Sequence, residues 1–232
     1  MSAIAAQAAA GASREAVYVW ELPVRLVHWL LFFSILVLAV TGYYIAHPFI
    51  SAPGPASAHF VMGSMRSVHL YASVVFTLSA LVRVYWAFAG NAYARWSELI
   101  PVSRQRWQSF WQAALFYAFL SRKAVHYLGH NALAGLTYAG IFAVYFVMMA
   151  TGFALYTVYA SPGSPMQVFG FLIPLFGGLQ VARLIHHIGM WVIIIFAVAH
   201  VYFPVLYSII ERSGVVDSIF SGYKFREPRG RE

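Results

Sequence analysis

LIHHIGMWVIIIFAVAHVYFPVLYSII, residues 184–210, contains no formally charged residue and yet holds three histidines. A helix that crosses a bilayer needs about 20 mostly apolar residues, so this stretch spans with residues to spare, and Pro204 is placed to kink it. The same apolar signal recurs at Leu26–Ala46, from about Gly63 to Ala89, interrupted only by Arg66 at one end and Arg83 toward the other, and at Ala132–Tyr156. The long charge-free run between Lys123 and Arg183 is divided by Ser161-Pro-Gly-Ser-Pro165, a strong turn signal. Trp107–Ser121 is aromatic but short and lies between Arg106 and Arg122, which reads as an interfacial helix on the cytoplasmic surface. Met166–Leu179 carries Pro174, Gly177 and Gly178 and reads as a cap on the outer face. The expected fold is an all-α membrane protein: a four-transmembrane-helix bundle with a cytoplasmic interfacial helix between helices 2 and 3. Its parts are a flexible cytoplasmic tail over residues 1–16, a membrane domain over 17–212 and a cytoplasmic C-terminal tail over 213–232.

Composition agrees with a bilayer setting. Of 232 residues, 61% are hydrophobic and 9% charged, against about 45–50% and about 25% in soluble domains. The net charge of +8 comes from 15 basic and 7 acidic residues. With four spans and both termini inside, only Arg66 and Arg183 fall on the outer side and the other thirteen basic residues fall inside. That asymmetry is the positive-inside pattern of an inner (cytoplasmic) membrane protein. Nucleic acid is not an expected partner, because that would require a basic face on a soluble scaffold. Residues 1–13 lack the basic start and apolar core of a cleaved signal peptide. There is no cysteine, which excludes disulfides, thiolate iron–sulfur clusters and the thioether attachment of c-type haem.

Histidine inside a span calls for a function and a partner. His28 lies near the inner start of the first span and His69 near the outer start of the second; His186, His187 and His200 lie in the fourth. At about 100° per residue, His186 and His200 come within about 40° of one face and about 21 Å apart along the axis, whereas His187 is about 140° off that face. His69 and His186 match in depth near the outer surface, and His28 and His200 match near the inner one. Opposed imidazoles at one depth are what bis-histidine haem ligation requires. The reading is two b-type haems, an outer one on His69–His186 and an inner one on His28–His200. Zinc fits less well, since each depth offers only a pair where a structural site takes four ligands.

Arginine stands three residues before three of these histidines, as Arg25–His28, Arg66–His69 and Arg183–His186. Guanidinium suits carboxylates, so Arg66 and Arg183 are expected to neutralise the outer haem's propionates. Fourteen residues beyond His28 is Gly42, read either as close passage of the porphyrin or as ordinary tight helix packing. Fourteen beyond His69 is Arg83, read either as a cation on the haem-facing side or as one snorkelling to the surface. His47 and His59, around the Pro/Gly-rich outer loop, read as solvated or as partner contacts, and His187 as packing beside its neighbour.

Tyr18-Val-Trp-Glu-Leu-Pro-Val-Arg-Leu-Val-His-Trp29 resembles the start of helix one in the b-type cytochrome subunits of membrane-bound [NiFe] hydrogenases. So do Tyr127-Leu-Gly-His-Asn-Ala-Leu-Ala134, His186-His-Ile-Gly-Met-Trp191, His200-Val-Tyr202 and Ser221-Gly-Tyr-Lys224. The resemblance implies a subunit that anchors a periplasm-facing hydrogenase, takes electrons from the iron–sulfur clusters of its small subunit, and through it from the large subunit, and passes them to membrane quinone. It also implies that the outer haem faces the hydrogenase. By similarity to di-haem subunits of respiratory formate dehydrogenases, Tyr127, His130 and Asn131 are expected near a quinone, with helix capping as the other role for Asn131. The competing functions are a di-haem quinone cytochrome of another dehydrogenase, such as the formate type, and a haem-free anchor or transporter.

Overall fold

A computed structural model of the chain describes residues 15–50, 53–55, 58–121, 127–211 and 214–226. The elements run in the order β1 (Glu15–Tyr18), α1 (Leu22–Ala46), α2 (Val61–Ala89), α3 (Trp96–Leu99), α4 (Arg104–Tyr117) and α5 (Ala132–Tyr156). A 3₁₀ segment (Pro165–Phe171) follows, then α6 (Leu172–Leu175), α7 (Leu179–Glu211), α8 (Val215–Ser221) and β2 (Tyr223–Arg226). Among the described residues, α1, α2, α5 and α7 are long and apolar enough to cross a membrane. The protein is a membrane protein of mainly helical structure.

The third expected span, Ala132–Tyr156, coincides with α5, and the others begin a little earlier than expected. α1 starts at Leu22, because Pro23 sits in the first turn, where its missing N–H costs nothing. α7 starts at Leu179, so Arg183 lies inside the helix, and the helix continues through Pro204. The segment expected to be interfacial begins at Arg104, where the Ser103 side chain accepts a hydrogen bond from the Arg106 N–H. The segment expected to cap the outer face forms the 3₁₀ turn and α6. Of the expected tails, residues 1–14, 213 and 227–232 lie outside the described residues.

The chain forms two compact units. One comprises Leu26–Trp86 and Leu136–His200 and so holds most of the four long helices. Its core is Val27 and Leu31 of α1, Phe76 and Ala80 of α2, Ile141 and Tyr145 of α5, and Ile193 of α7. Phe76 meets the Tyr145 ring edge-on at 5.0 Å. Its polarity is inverted relative to a soluble bundle: Ser34, Thr41, Ser79 and Thr151 are buried while Leu30, Phe33, Leu36, Leu78, Ile188 and Ile195 face outward. Lipid tails are as apolar as leucine, so helix association here rests on close packing and hydrogen bonds. Three of these buried hydroxyls are satisfied locally, with Ser34 donating to the Leu31 carbonyl, Thr41 to Val37 and Thr151 to Val147.

The other unit comprises Met1–Arg25, Ala87–Gly135 and Val201–Glu232. β1 and β2 pair antiparallel, with Tyr18 opposite Tyr223. Gly222, at φ +90°, makes the turn into β2, and its carbonyl accepts from the N–H groups of Val19 and Trp20. Trp20 Nε1 donates to Ser218 Oγ, and Lys224 Nζ lies over the Trp20 ring at 5.4 Å while donating to the Gly129 carbonyl. Arg106 pairs with Glu98 at 3.0 Å. α4 buries Ser109 and Ala113 and turns Trp107, Trp111 and Leu115 outward.

Candidate functional site

Three of the four long helices carry the histidines singled out in the sequence, and the helical register brings them together in two pairs within the four-helix unit. The ring centroids of His69 (α2) and His186 (α7) are 6.5 Å apart, and those of His28 (α1) and His200 (α7) are 6.0 Å apart. Two imidazoles ligating one iron from opposite sides, each with a metal–nitrogen bond of about 2 Å and a ring radius of roughly 1 Å, have centroids about 6 Å apart. The chain therefore fits a bis-histidine haem at both pairs. Fourteen residues of α7 separate the two levels, about 21 Å along the axis. Ile193 lies midway, and the apolar core surrounds it.

Each pair has further neighbours that the sequence reading did not single out. Thr41 Oγ1 is 2.8 Å from His69 Nδ1, and Thr151 Oγ1 is 2.9 Å from His186 Nδ1. Tyr138 OH is 3.1 Å from His200 Nδ1, and Phe196 stacks on the His200 ring at 5.4 Å. With Nδ1 engaged, Nε2 of each of these three rings is the nitrogen left for a metal. His28 Nδ1 is buried without a hydrogen-bond partner among the described residues. Gly42 lies against the His69 imidazole itself: an added Cβ would stand 3.2 Å from His69 Cε1. Gly152 does the same for His186 at 3.4 Å. The signal that could have found these residues is the repeated Thr-Gly dipeptide at 41–42 and 151–152.

The arginines are more dispersed. Arg66 is exposed and lies 4.8 Å from the centre of the Tyr159 ring. Arg183 is exposed and donates to Gln180 Oε1 at 3.3 Å. Arg83 is half-buried in α2. Arg25 belongs to the other unit, where its Nη1 donates to the Phe220 carbonyl. His187 accepts from Trp191 Nε1 at 3.3 Å, and its ring centroid is 5.8 Å from that of His47.

Tyr127, His130 and Asn131 all lie in the unit containing the β1–β2 pair. Asn131 caps α5, its Oδ1 accepting from the Ala134 N–H at 2.7 Å, and its Nδ2 donates to Tyr117 OH. Tyr127 OH donates to Ser109 Oγ. His130 packs against Trp20 with ring centroids 4.8 Å apart.

Residues 19–222 match the family model described as prokaryotic cytochrome b561. The chain is 43% identical over 219 residues to a protein of Cupriavidus necator named "probable Ni/Fe-hydrogenase B-type cytochrome subunit", covering 93% of this chain and 90% of that one. A protein of the same name from Azotobacter vinelandii is 41% identical over 220 residues, with 93% and 92% covered. The similarly named hydrogenase 1 cytochrome subunit of Escherichia coli K12 is 37% identical over 212 residues, with 89% and 90% covered.

Proposed function

The chain belongs to the prokaryotic cytochrome b561 family, and from that premise we propose that it carries electrons through the membrane on two b-type haems, one held by His69 and His186 and the other by His28 and His200. The observation that carries this reading is the pair of opposed imidazoles at each of two levels, 6.5 and 6.0 Å between centroids. Haem, when bound, supplies a one-electron iron couple. The chain's part is to supply both axial nitrogens at each level, which leaves no open coordination position and suits electron transfer rather than oxygen chemistry. The apolar band around Ile193 keeps water from the space between the levels.

The names of the relatives support a [NiFe] hydrogenase as electron donor, reached through its small subunit and then the large one. The thirteen-to-two distribution of basic residues supports an inner-membrane orientation with both termini cytoplasmic. The His69–His186 level then faces a periplasmic hydrogenase that this chain anchors. The outward tryptophans of α4 support its placement as a cytoplasmic interfacial helix. Electrons leave to membrane quinone near the His28–His200 level. Of the residues expected to meet quinone, His130 carries the imidazole and is the candidate proton donor. Arg66 and Arg183 flank the His69–His186 level as cations for haem propionates.

Haem quantitation on the purified subunit tests the reading. Wild type should hold two haems, and each single alanine substitution at His28, His69, His186 or His200 should remove one. A variant at any of the four that keeps both haems removes that ligand from the assignment. Recovery of the hydrogenase small subunit with the chain from native membranes tests the partner.

A further inference from the structure

We propose that Thr41 and Thr151 are positioning residues for the His69–His186 pair: each accepts the Nδ1 proton of its imidazole, holds Nε2 unprotonated and available to iron, and so lowers the reduction potential at that level. The proposal rests on the di-haem reading above and adds a pair of residues to it.

A threonine hydroxyl has one proton to give. Thr41 Oγ1 lies 2.7 Å from the Val37 carbonyl and 2.8 Å from His69 Nδ1. Thr151 Oγ1 lies 2.8 Å from the Val147 carbonyl and 2.9 Å from His186 Nδ1. A carbonyl only accepts, so each hydroxyl gives its proton to its own helix and receives one from the ring. The carbonyls of Leu38 and Met148, each three residues before its threonine, also lie within reach of the hydroxyls, at 3.4 and 3.2 Å. They too can only accept, which places the ring proton on the threonine side. The hydrogen bond at one ring nitrogen decides which nitrogen can ligate.

The arrangement occurs twice, which argues that it is built. Thr41-Gly42 on α1 receives a histidine from α2, and Thr151-Gly152 on α5 receives one from α7. In each case the glycine removes the Cβ that would stand 3.2 or 3.4 Å from the ring's Cε1, so the imidazole lies against the backbone within reach of the hydroxyl. Thirteen residues before each threonine stand His28 and Tyr138, and both contact His200. The two helical hairpins thus repeat a pattern that is symmetric at the His69–His186 level and asymmetric at the other. There, His200 Nδ1 faces Tyr138 OH while His28 Nδ1 has no hydrogen-bond partner among the described residues. A hydrogen-bonded Nδ1–H makes the imidazole a stronger donor to the metal, which favours oxidised iron. Two such bonds act at one level and a single one at the other.

An optical redox titration of the full-length chain in its membranes tests this, with Thr41→Val, Thr151→Val and the corresponding serine variants. Each valine variant should raise the midpoint of one haem, the one that His69→Ala removes. The expected size is a threefold-to-tenfold shift of its reduction equilibrium, about 30–60 mV for a one-electron couple. The haem that His28→Ala removes should not move, and serine should restore the wild-type value. Loss of the first haem in a valine variant, rescued by serine, carries the same conclusion. An unmoved midpoint with haem retained, a parallel shift of both haems, or a serine variant that behaves like valine overturns it. Failure of the underlying reading is separate: it appears as two haems surviving His69→Ala, whatever the threonine variants do.

Discussion

A methyl group added at Gly42 would stand 3.2 Å from His69 Cε1 and 3.7 Å from His69 Nδ1, while one added at Gly152 would stand 3.4 Å from His186 Cε1. The first contact is tighter than side chains ordinarily tolerate, and the second is at the edge of normal van der Waals contact. The His69 ring cannot simply retreat, since its Nδ1 is tied at 2.8 Å to Thr41 on the same helix as the new methyl. Overpacking of this kind costs about 1–3 kcal/mol, and alanine returns about 1 kcal/mol of helix propensity relative to glycine. The balance at Gly42 is a net loss of about 0–2 kcal/mol, and at about 1.4 kcal/mol per factor of ten the middle of that range is roughly fivefold weaker retention of haem at His69–His186. At Gly152 the packing cost is close to zero and the propensity gain dominates. Gly42→Ala should therefore lose haem several-fold faster on dilution in detergent, followed by absorbance of the reduced haem, while Gly152→Ala should match wild type or melt slightly higher. Equal losses from both variants, or a full haem complement in Gly42→Ala, would refute the reasoning.

Gly222→Ala should loosen the β1–β2 pair, because a Cβ at φ +90° would meet Tyr18 Cε2 at 2.6 Å and the Trp20 carbonyl at 2.8 Å. Faster tryptic cleavage after Lys224, which is only 6% exposed in the native fold, is the readout. Asn131→Ala should cost about 1 kcal/mol of thermal stability through the lost helix cap, whereas His130→Ala should weaken binding of a quinone-site inhibitor. Inhibitor binding indifferent to His130→Ala would remove the quinone assignment.

How far the sequence was legible differs between elements. α5 could be bounded at both ends because the segment is uniformly apolar, with turn residues beyond it. The apolar run that predicts α7 starts at Leu184, after Arg183; the helix begins at Leu179, since a long arginine can leave the apolar zone without ending the helix. The pairing of Glu15–Tyr18 with Tyr223–Arg226 has no counterpart in the sequence pattern. Four-residue strands at opposite ends of a chain leave no local pattern, and only the fold brings them together.

At the candidate site, periodicity was enough to put His186 and His200 on one face of α7 and to exclude His187 from it, because a regular helix turns by the same angle at every residue. Apolar length likewise specified the spans, because the bilayer penalises each exposed charge and unpaired backbone group. What neither could supply was the neighbour across the interface. Gly42 lies against the His69 ring, and Thr41, Thr151 and Tyr138 stand at the Nδ1 atoms. Such contacts depend on how helices are rotated and offset against one another, and that is decided by packing between segments far apart in the chain.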